Sequence, residues 1–471
     1  MLPAQRQITE NHAALVHRYN HQRHTRTAPG PQGRHLLGSL LEVRRDLLQF
    51  VINATKLYGG LVNFRMGARN LFLVSHPPYA QHILHDNQGN YRKGLGLLEA
   101  KPLLGDGLLT SEGNLWAVQR RFLQAAFHGK KLEQYCAVMV RRTDSLLTRW
   151  RSLASAEQDV DVADEMAKLT LNILGSTLFG QDFDTISGEL ARHLNTVTNW
   201  AITRMTSLWK LPLSVPTRRN RRAGHALRRL DEMAQQMFAQ HRRQDAERKG
   251  HLLSLLLENA PGQMSADVEK QARDEVMTFL LAGHETTAAT LSWALFLLAQ
   301  NPEVAERLQL ELEEVLGGRS PGWADVPRLE YARMVLSEVM RLYPPVWLLP
   351  RKAVEEDRVG DYRIPPRSDV LISVYSLHRN PAYWQDPDKF IPERFAPSDA
   401  PHRPACTYIP FGAGQRTCPG NRFGMMEATL VLAMLAQHYR FESLPAQSVT
   451  PKATLSLRPQ SGLKLKLIRR D

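Results

Sequence analysis

A mostly helical fold with small β-sheets at its margins is what this sequence predicts, and three observations predict it. Apolar residues recur at helical spacing through most of the chain. Period-two alternation is confined to a few short stretches, most of them toward the two ends. No stretch beyond the N-terminal tail is rich in Gly, Ser or Pro over a dozen residues, and no period of twenty to fifty residues repeats. With 471 residues, 43% of them hydrophobic, the chain can fill one large core. The expected organisation is a tail over residues 1–28 and a single domain over 29–471.

Each element has its own signal. "GGLVNFRMGARNLFLVSH" (59–76) alternates like a hairpin around Gly67-Ala68-Arg69-Asn70. Helical spacing then predicts helices over 114–126, 131–150, 163–180, 186–206, 219–247, 265–299, 302–316, 330–342 and 419–438. Short strands with turns are expected from "RVGDYRIPPRSDVLISVY" and, near the C-terminus, from "TLSLRPQSGLKLKLI".

Charge and cysteine content exclude several classes of function. The net charge is +13, but the basic residues are scattered apart from "TRRNRRAGHALRR" at 217–229, which reads as the start of a solvated helix. No helix-turn-helix, zinc-finger or stacking-aromatic motif accompanies it, so nucleic acid is not the expected partner. Cys136, Cys406 and Cys418 have no paired spacing, which argues against a disulfide framework or a CxxC metal site and for a reducing compartment. The N-terminus carries no apolar core of signal-peptide length, and nowhere do eighteen apolar residues run together. A cytoplasmic protein is expected, with "SLWKLPLSVPTRRN" (207–220) the one segment suited to touching a membrane surface.

The chemistry concentrates in "FGAGQRTCPG", residues 411–420. Cys418 precedes Pro419 and an apolar helix, so the thiol is expected at a helix start, where amides and dipole favour the thiolate that binds metals. Gly412, Gly414 and Gly420 let the backbone fold back toward the sulfur and approach a flat cofactor closely. Arg416 is placed to reach a carboxylate.

The spacing F-x-x-G-x-R-x-C-x-G, carried by Phe411, Gly414, Arg416, Cys418 and Gly420, resembles the haem-binding loop of cytochrome P450 monooxygenases. The resemblance implies haem b with Cys418 as the axial thiolate, in the P450 fold with its long central helix over the haem. Three further motifs agree, in the family's order. Ala282-Gly283-His284-Glu285-Thr286-Thr287 resembles the oxygen-binding motif, implying Thr286 in the dioxygen hydrogen-bond network and Glu285 as proton relay. A threonine there can also bond back to a carbonyl one turn earlier. "SEVMRLYPP" supplies a Glu338-x-x-Arg341 pair, and "DKFIPERF" the Arg394 that joins it in a buried structural network. "LWAVQRRF" supplies Trp116 and Arg120 four apart; these, Arg351 and Arg416 match propionate-binding positions.

The activity this resemblance implies is that of a monooxygenase inserting one atom of O2 into an apolar molecule such as a terpene, a fatty acid or another natural product. A peroxygenase or isomerase on the same site, or a non-catalytic haem sensor, is the alternative. Only 53 residues come after Cys418 (471 − 418), so electrons are expected from a separate ferredoxin or flavodoxin with its NAD(P)H reductase, drawn by the positive charge. The substrate wall is expected from Leu95, Leu97, Leu98, Leu103, Leu104, Phe279, Ala282 and Val346 to Leu349, about half of them simply core.

Overall fold

The computed structural model describes residues 26–33, 36–205, 207, 211–243, 251–258, 266–398, 402–445, 447–460 and 462–470. Most of the expected tail, residues 1–25, lies outside them, as do parts of 207–220 and the end of the helix expected to run to 247.

Counting helices of six residues or more, the described chain forms α1 (Leu40–Arg45), α2 (Leu47–Tyr58), α3 (Gly113–Gln124), α4 (Gly129–Ser155), α5 (Val162–Leu174), α6 (Ser187–Met205), α7 (Arg218–Arg243), α8 (Leu252–Glu258), α9 (Ala266–Gln300), α10 (Pro302–Leu316), α11 (Glu330–Leu342) and α12 (Asn421–His438). Local chemistry fixes many ends. Asp46 and Asp161 accept hydrogen bonds from the first-turn amides of α2 and α5. Pro302 opens α10, and Gly317, at φ +56°, closes it.

The largest sheet has five strands. The hairpin β1 (Leu61–Met66) and β2 (Arg69–Val74) forms as expected, its turn shortened to Gly67-Ala68 because Arg69 and Asn70 already pair. β8 (Asp369–Ser373) is buried throughout, pairing parallel to β2 and antiparallel to β5 (Leu348–Ala353), which carries β3 (Tyr91–Lys93) on its outer edge. Three smaller sheets join β4 (Val160–Asp161), β12 (Lys464–Arg469) and β9 (Tyr439–Ser443); β6 (Asp357–Val359) and β7 (Tyr362–Ile364); and β10 (Pro451–Ala453) and β11 (Leu457–Pro459).

α9 positions the site. Its 35 residues span about 52 Å at 1.5 Å per residue and run through the largest apolar core cluster. α5 lies against its middle: a Cβ on Gly283 would stand 2.7 Å from Leu174, and the Thr170 hydroxyl donates to the His284 carbonyl at 3.1 Å. The close crossing requires glycine at 283. Below it α12 is buried along nearly its whole length.

The basic run at 217–229 behaves as expected. Arg218, Arg219, Arg221, Arg222 and Arg228 are exposed on α7, while Ala223, Ala226, Leu227 and Leu230 face the core.

Candidate active site

The loop before α12 brings the predicted glycines and Cys418 together. Gly412 and Gly414 both have φ +73°, and a Cβ on Gly414 would stand 1.9 Å from the Leu84 carbonyl oxygen, so the loop can take this path only with glycine there. The Cys418 amide donates to the Phe411 carbonyl at 2.9 Å, closing the loop on itself.

Two expectations about this cysteine are corrected. Pro419 is not in the first helical turn: α12 starts at Asn421 with Gly420 as its N-cap, so Cys418 lies two residues before the cap. The thiol's pKa is pushed up by burial, against the opposing pull of the Gly420 amide and the Arg120 charge. Desolvation outweighs the Gly420 hydrogen bond and the Arg120 charge together. A thiolate on this wall therefore needs a cation on its open side, as a metal ligand would have.

Cys418 opens into a cavity of about 290 Å³ bounded above by α9 at Ala282, Gly283 and Thr286 and below by Phe411, Gly412 and Gly420. Trp116, Arg120, Arg351 and Arg416, the positions singled out by the family resemblance, all reach it. Lys93, from the edge strand β3, joins them. Its ammonium donates to the Leu108 and Ser111 carbonyls at 2.6 and 2.5 Å. Arg416 makes a bidentate pair with Glu112 (2.7 and 2.5 Å) and lies over the Trp116 ring.

Burial and neighbouring cations act together here. Desolvation, then the Arg416 charge, pushes Lys93 down to about 7, and the same two causes push Arg351 down to about 10. Lys93, Arg120, Arg351 and Arg416 set four basic side chains on this wall against the carboxylate of Glu112, a partly buried cluster short of negative charge. A flat group with two carboxylates and a cationic centre fits it: the carboxylates against these four side chains, the centre against the sulfur, the ring against the glycines. Haem has that form. Glu112 and Lys93 were not foreseen, because a lysine on a three-residue strand and a glutamate before a helix carry no signal of their own.

On the α9 side, the Thr286 hydroxyl donates to the Ala282 carbonyl at 2.8 Å, the expected one-turn back-bond, and α9 continues unbroken through it. The Glu285 Oε1 accepts a hydrogen bond from Ser456 Oγ at 2.7 Å, a partner from the β10–β11 turn invisible to motif reading.

Glu285 and Thr286 also line a second cavity of about 300 Å³. Leu95, Leu97, Leu103, Ala282 and Val346 to Leu349 form its wall as expected. Leu98 instead faces solvent, Leu104 packs into the core, and Phe279 lines the cysteine cavity beside Phe127. Val197, Ala201, Ile202 and Met205 of α6 and Ala453 to Ser456 also line it.

The Glu338-x-x-Arg341 pair is fully buried and saturated. Arg341 Nε and Nη2 donate to Glu338 at 2.6 and 2.8 Å, and its remaining hydrogens go to the carbonyls of His378, Pro387 and Lys389. Arg394 reaches Glu338 at 3.3 Å, as expected. None of the three lines either cavity.

The family model for cytochrome P450 matches residues 28–467. This chain belongs to the cytochrome P450 family. P450s carry haem b, and the chain is accordingly a haem-dependent monooxygenase. Among its relatives, cyclooctatin synthase of Streptomyces melanosporofaciens is 39% identical over 92% of this chain and 94% of its own length. Cyclooctat-9-en-7-ol 5-monooxygenase of the same organism is 34% identical over 90% and 91%. Carotene epsilon-monooxygenase, chloroplastic, of Arabidopsis thaliana is 30% identical over 88% and 80%. Among the described residues, no helix of this P450 is long and apolar enough to cross a membrane.

Proposed function

We propose that this P450 hydroxylates or epoxidises a terpene-type hydrocarbon or its mono-alcohol. The observation that carries this is the cavity beside Glu285 and Thr286, whose wall is mostly aliphatic. A fatty acid would need a cation for its carboxylate. The cations on that wall, Lys93, Arg351 and Arg416, also belong to the cluster that haem propionates would claim. The names of the relatives, a cyclic alkenol and carotene among them, point the same way.

In this reading Cys418 would ligate the iron, and Trp116, Arg120, Arg351, Arg416 and Lys93 would hold the propionates. Phe411, Gly412, Gly420 and Ala282 would pack against the ring. Haem with a thiolate ligand supplies activation of O2 for insertion into an unactivated C–H or C=C bond. Thr286 holds a hydroxyl at the boundary of the two cavities, Glu285 carries protons toward it, and the aliphatic wall excludes water and orients the substrate.

Residues 29–471 act as one domain, in the cytoplasm, fed by a ferredoxin- or flavodoxin-type donor and its NAD(P)H reductase. Exposed Arg121, Lys130 and Arg422 lie on segments that meet where Phe127 packs near Gly420, and would steer an acidic donor there. The test is a ferric spin-state titration with cyclic diterpene alcohols, carotenoids and fatty acids. A shift to high spin with the terpenoids alone is expected; a shift with the fatty acids alone would overturn the substrate class.

A further inference from the structure

We propose that Ser456 is a positioning residue for Glu285, and that through it occupancy of the aliphatic cavity controls proton supply. This rests on the monooxygenase reading in which Glu285 relays protons. Ser456 is buried, and its hydroxyl donates to Glu285 Oε1 at 2.7 Å. The bond engages Oε1 and leaves Oε2 to take up and pass on a proton.

The turn that presents this hydroxyl is unusually well held. Trp347 Nε1 donates to the Thr454 carbonyl at 3.1 Å, the Leu457 amide to the Pro345 carbonyl at 3.0 Å, and Trp293 Nε1 to the Leu457 carbonyl at 2.9 Å. Within the turn, the Thr454 hydroxyl donates to the Ser456 carbonyl at 2.7 Å. Trp293 stands about two turns beyond Glu285 on α9, so the bracket is braced on the helix that carries its target. Its other anchors, Trp347 and Pro345, come from the segment after α11.

The same turn is a substrate wall. Thr454, Leu455 and Ser456 line the cavity together with Glu285 and Thr286. A molecule filling the cavity therefore presses on the residues that set the carboxylate's direction. Two titratable groups act around this pair: His284, whose burial favours the neutral imidazole against the opposing pull of the Glu285 charge, and Arg458, which donates to Asn195 at 3.2 Å.

The test uses the haem-loaded enzyme with a surrogate ferredoxin and reductase, in Ser456→Ala, Ser456→Thr, Glu285→Ala and the Ser456→Ala/Glu285→Ala double variant. One readout needs no turnover: the infrared carboxyl band of the ferric protein, assigned to Glu285 by its loss in Glu285→Gln. It should shift in Ser456→Ala, return in Ser456→Thr, and shift in the wild type when geranylgeraniol fills the cavity. The second readout is peroxide released per NAD(P)H consumed. Ser456→Ala should raise it several-fold in the wild-type background and leave it unchanged in Glu285→Ala. An unmoved band, or an effect of Ser456→Ala that persists without Glu285, overturns the proposal. Normal coupling in Glu285→Ala itself would instead remove Glu285 from the relay, a separate failure of the underlying reading. If Ser456→Ala does not fold, an unmoved wild-type band on adding geranylgeraniol is sufficient refutation.

Discussion

Lys93 shows what a single side chain gains from the bound cofactor. Its ammonium is buried among carbonyls and beside Arg416, so in the haem-free chain it holds its proton only below about pH 7. In the unfolded chain the lysine keeps its proton to about 10.4. Between those two values the unfolded state binds more protons, so the stability of the haem-free protein rises with pH, at up to about 1.4 kcal/mol per pH unit. Carboxylates from haem would restore the charge of Lys93 and flatten that slope. Chemical denaturation of both forms between pH 7 and 10 measures this, with Lys93→Met removing the slope from the haem-free form. Equal slopes in the two forms would place Lys93 away from the propionates.

At the scale of elements, the end of α6 is tied to the segment over 96–99 beside the aliphatic cavity, whose wall includes Gly96 and Met205. Arg204 pairs with Glu99 at 3.6 Å, lies over the Trp200 ring at 4.9 Å, and is followed by Met205, which packs against Gly96. A partly exposed pair of this kind contributes about 0.2–1 kcal/mol. Arg204→Ala is therefore expected to speed release of a terpenoid from ferric enzyme about two- to fivefold, read by stopped-flow relaxation of the spin state. Raising the salt concentration should produce the same change in the wild type. Release that is insensitive to both would show that the pair does not hold this wall of the cavity closed.

Legibility of the sequence divides at the same scale. The long helices could be read because each buries a continuous stripe, and the hairpin of β1 and β2 because its alternation is uninterrupted. β5 could not, since Pro350 sits inside it and normally argues against a strand; at Pro350 it pairs only with β8, because β3 reaches no further than Arg351. β3, three residues long, carries too little pattern, and α8 too few turns. The site divides likewise. Cys418, Arg416, Gly414 and Phe411 share one short loop with a fixed spacing, and Trp116 and Arg120 share one helical face. Ser456 and Glu112 meet their partners across 171 and 304 positions of chain, and no local pattern records that.

At the scale of the whole molecule, the saturated Glu338–Arg341 pair joins α11 to the loop over 378–394, and His378 carries the connection to the cysteine loop. The Ile409 amide donates to His378 Nε2 at 2.8 Å, and Nδ1 donates to the Met340 carbonyl at 3.2 Å. Burial keeps this imidazole neutral down to about pH 3, as Nε2 must be to accept from Ile409. Helix α11, the crossing loop and the approach to Cys418 thus form one connected support, while α9 closes the cavity from the other side. The sulfur's position is what the rest of the fold secures.

The carbon monoxide difference spectrum of the dithionite-reduced protein tests that position most directly, with Cys418→Ser as its control. A far-red-shifted Soret band in the wild type that is lost in Cys418→Ser, with haem still bound, is the expected result. An unshifted wild-type band, or an unchanged spectrum in the variant, would mean that Cys418 is not the thiolate ligand.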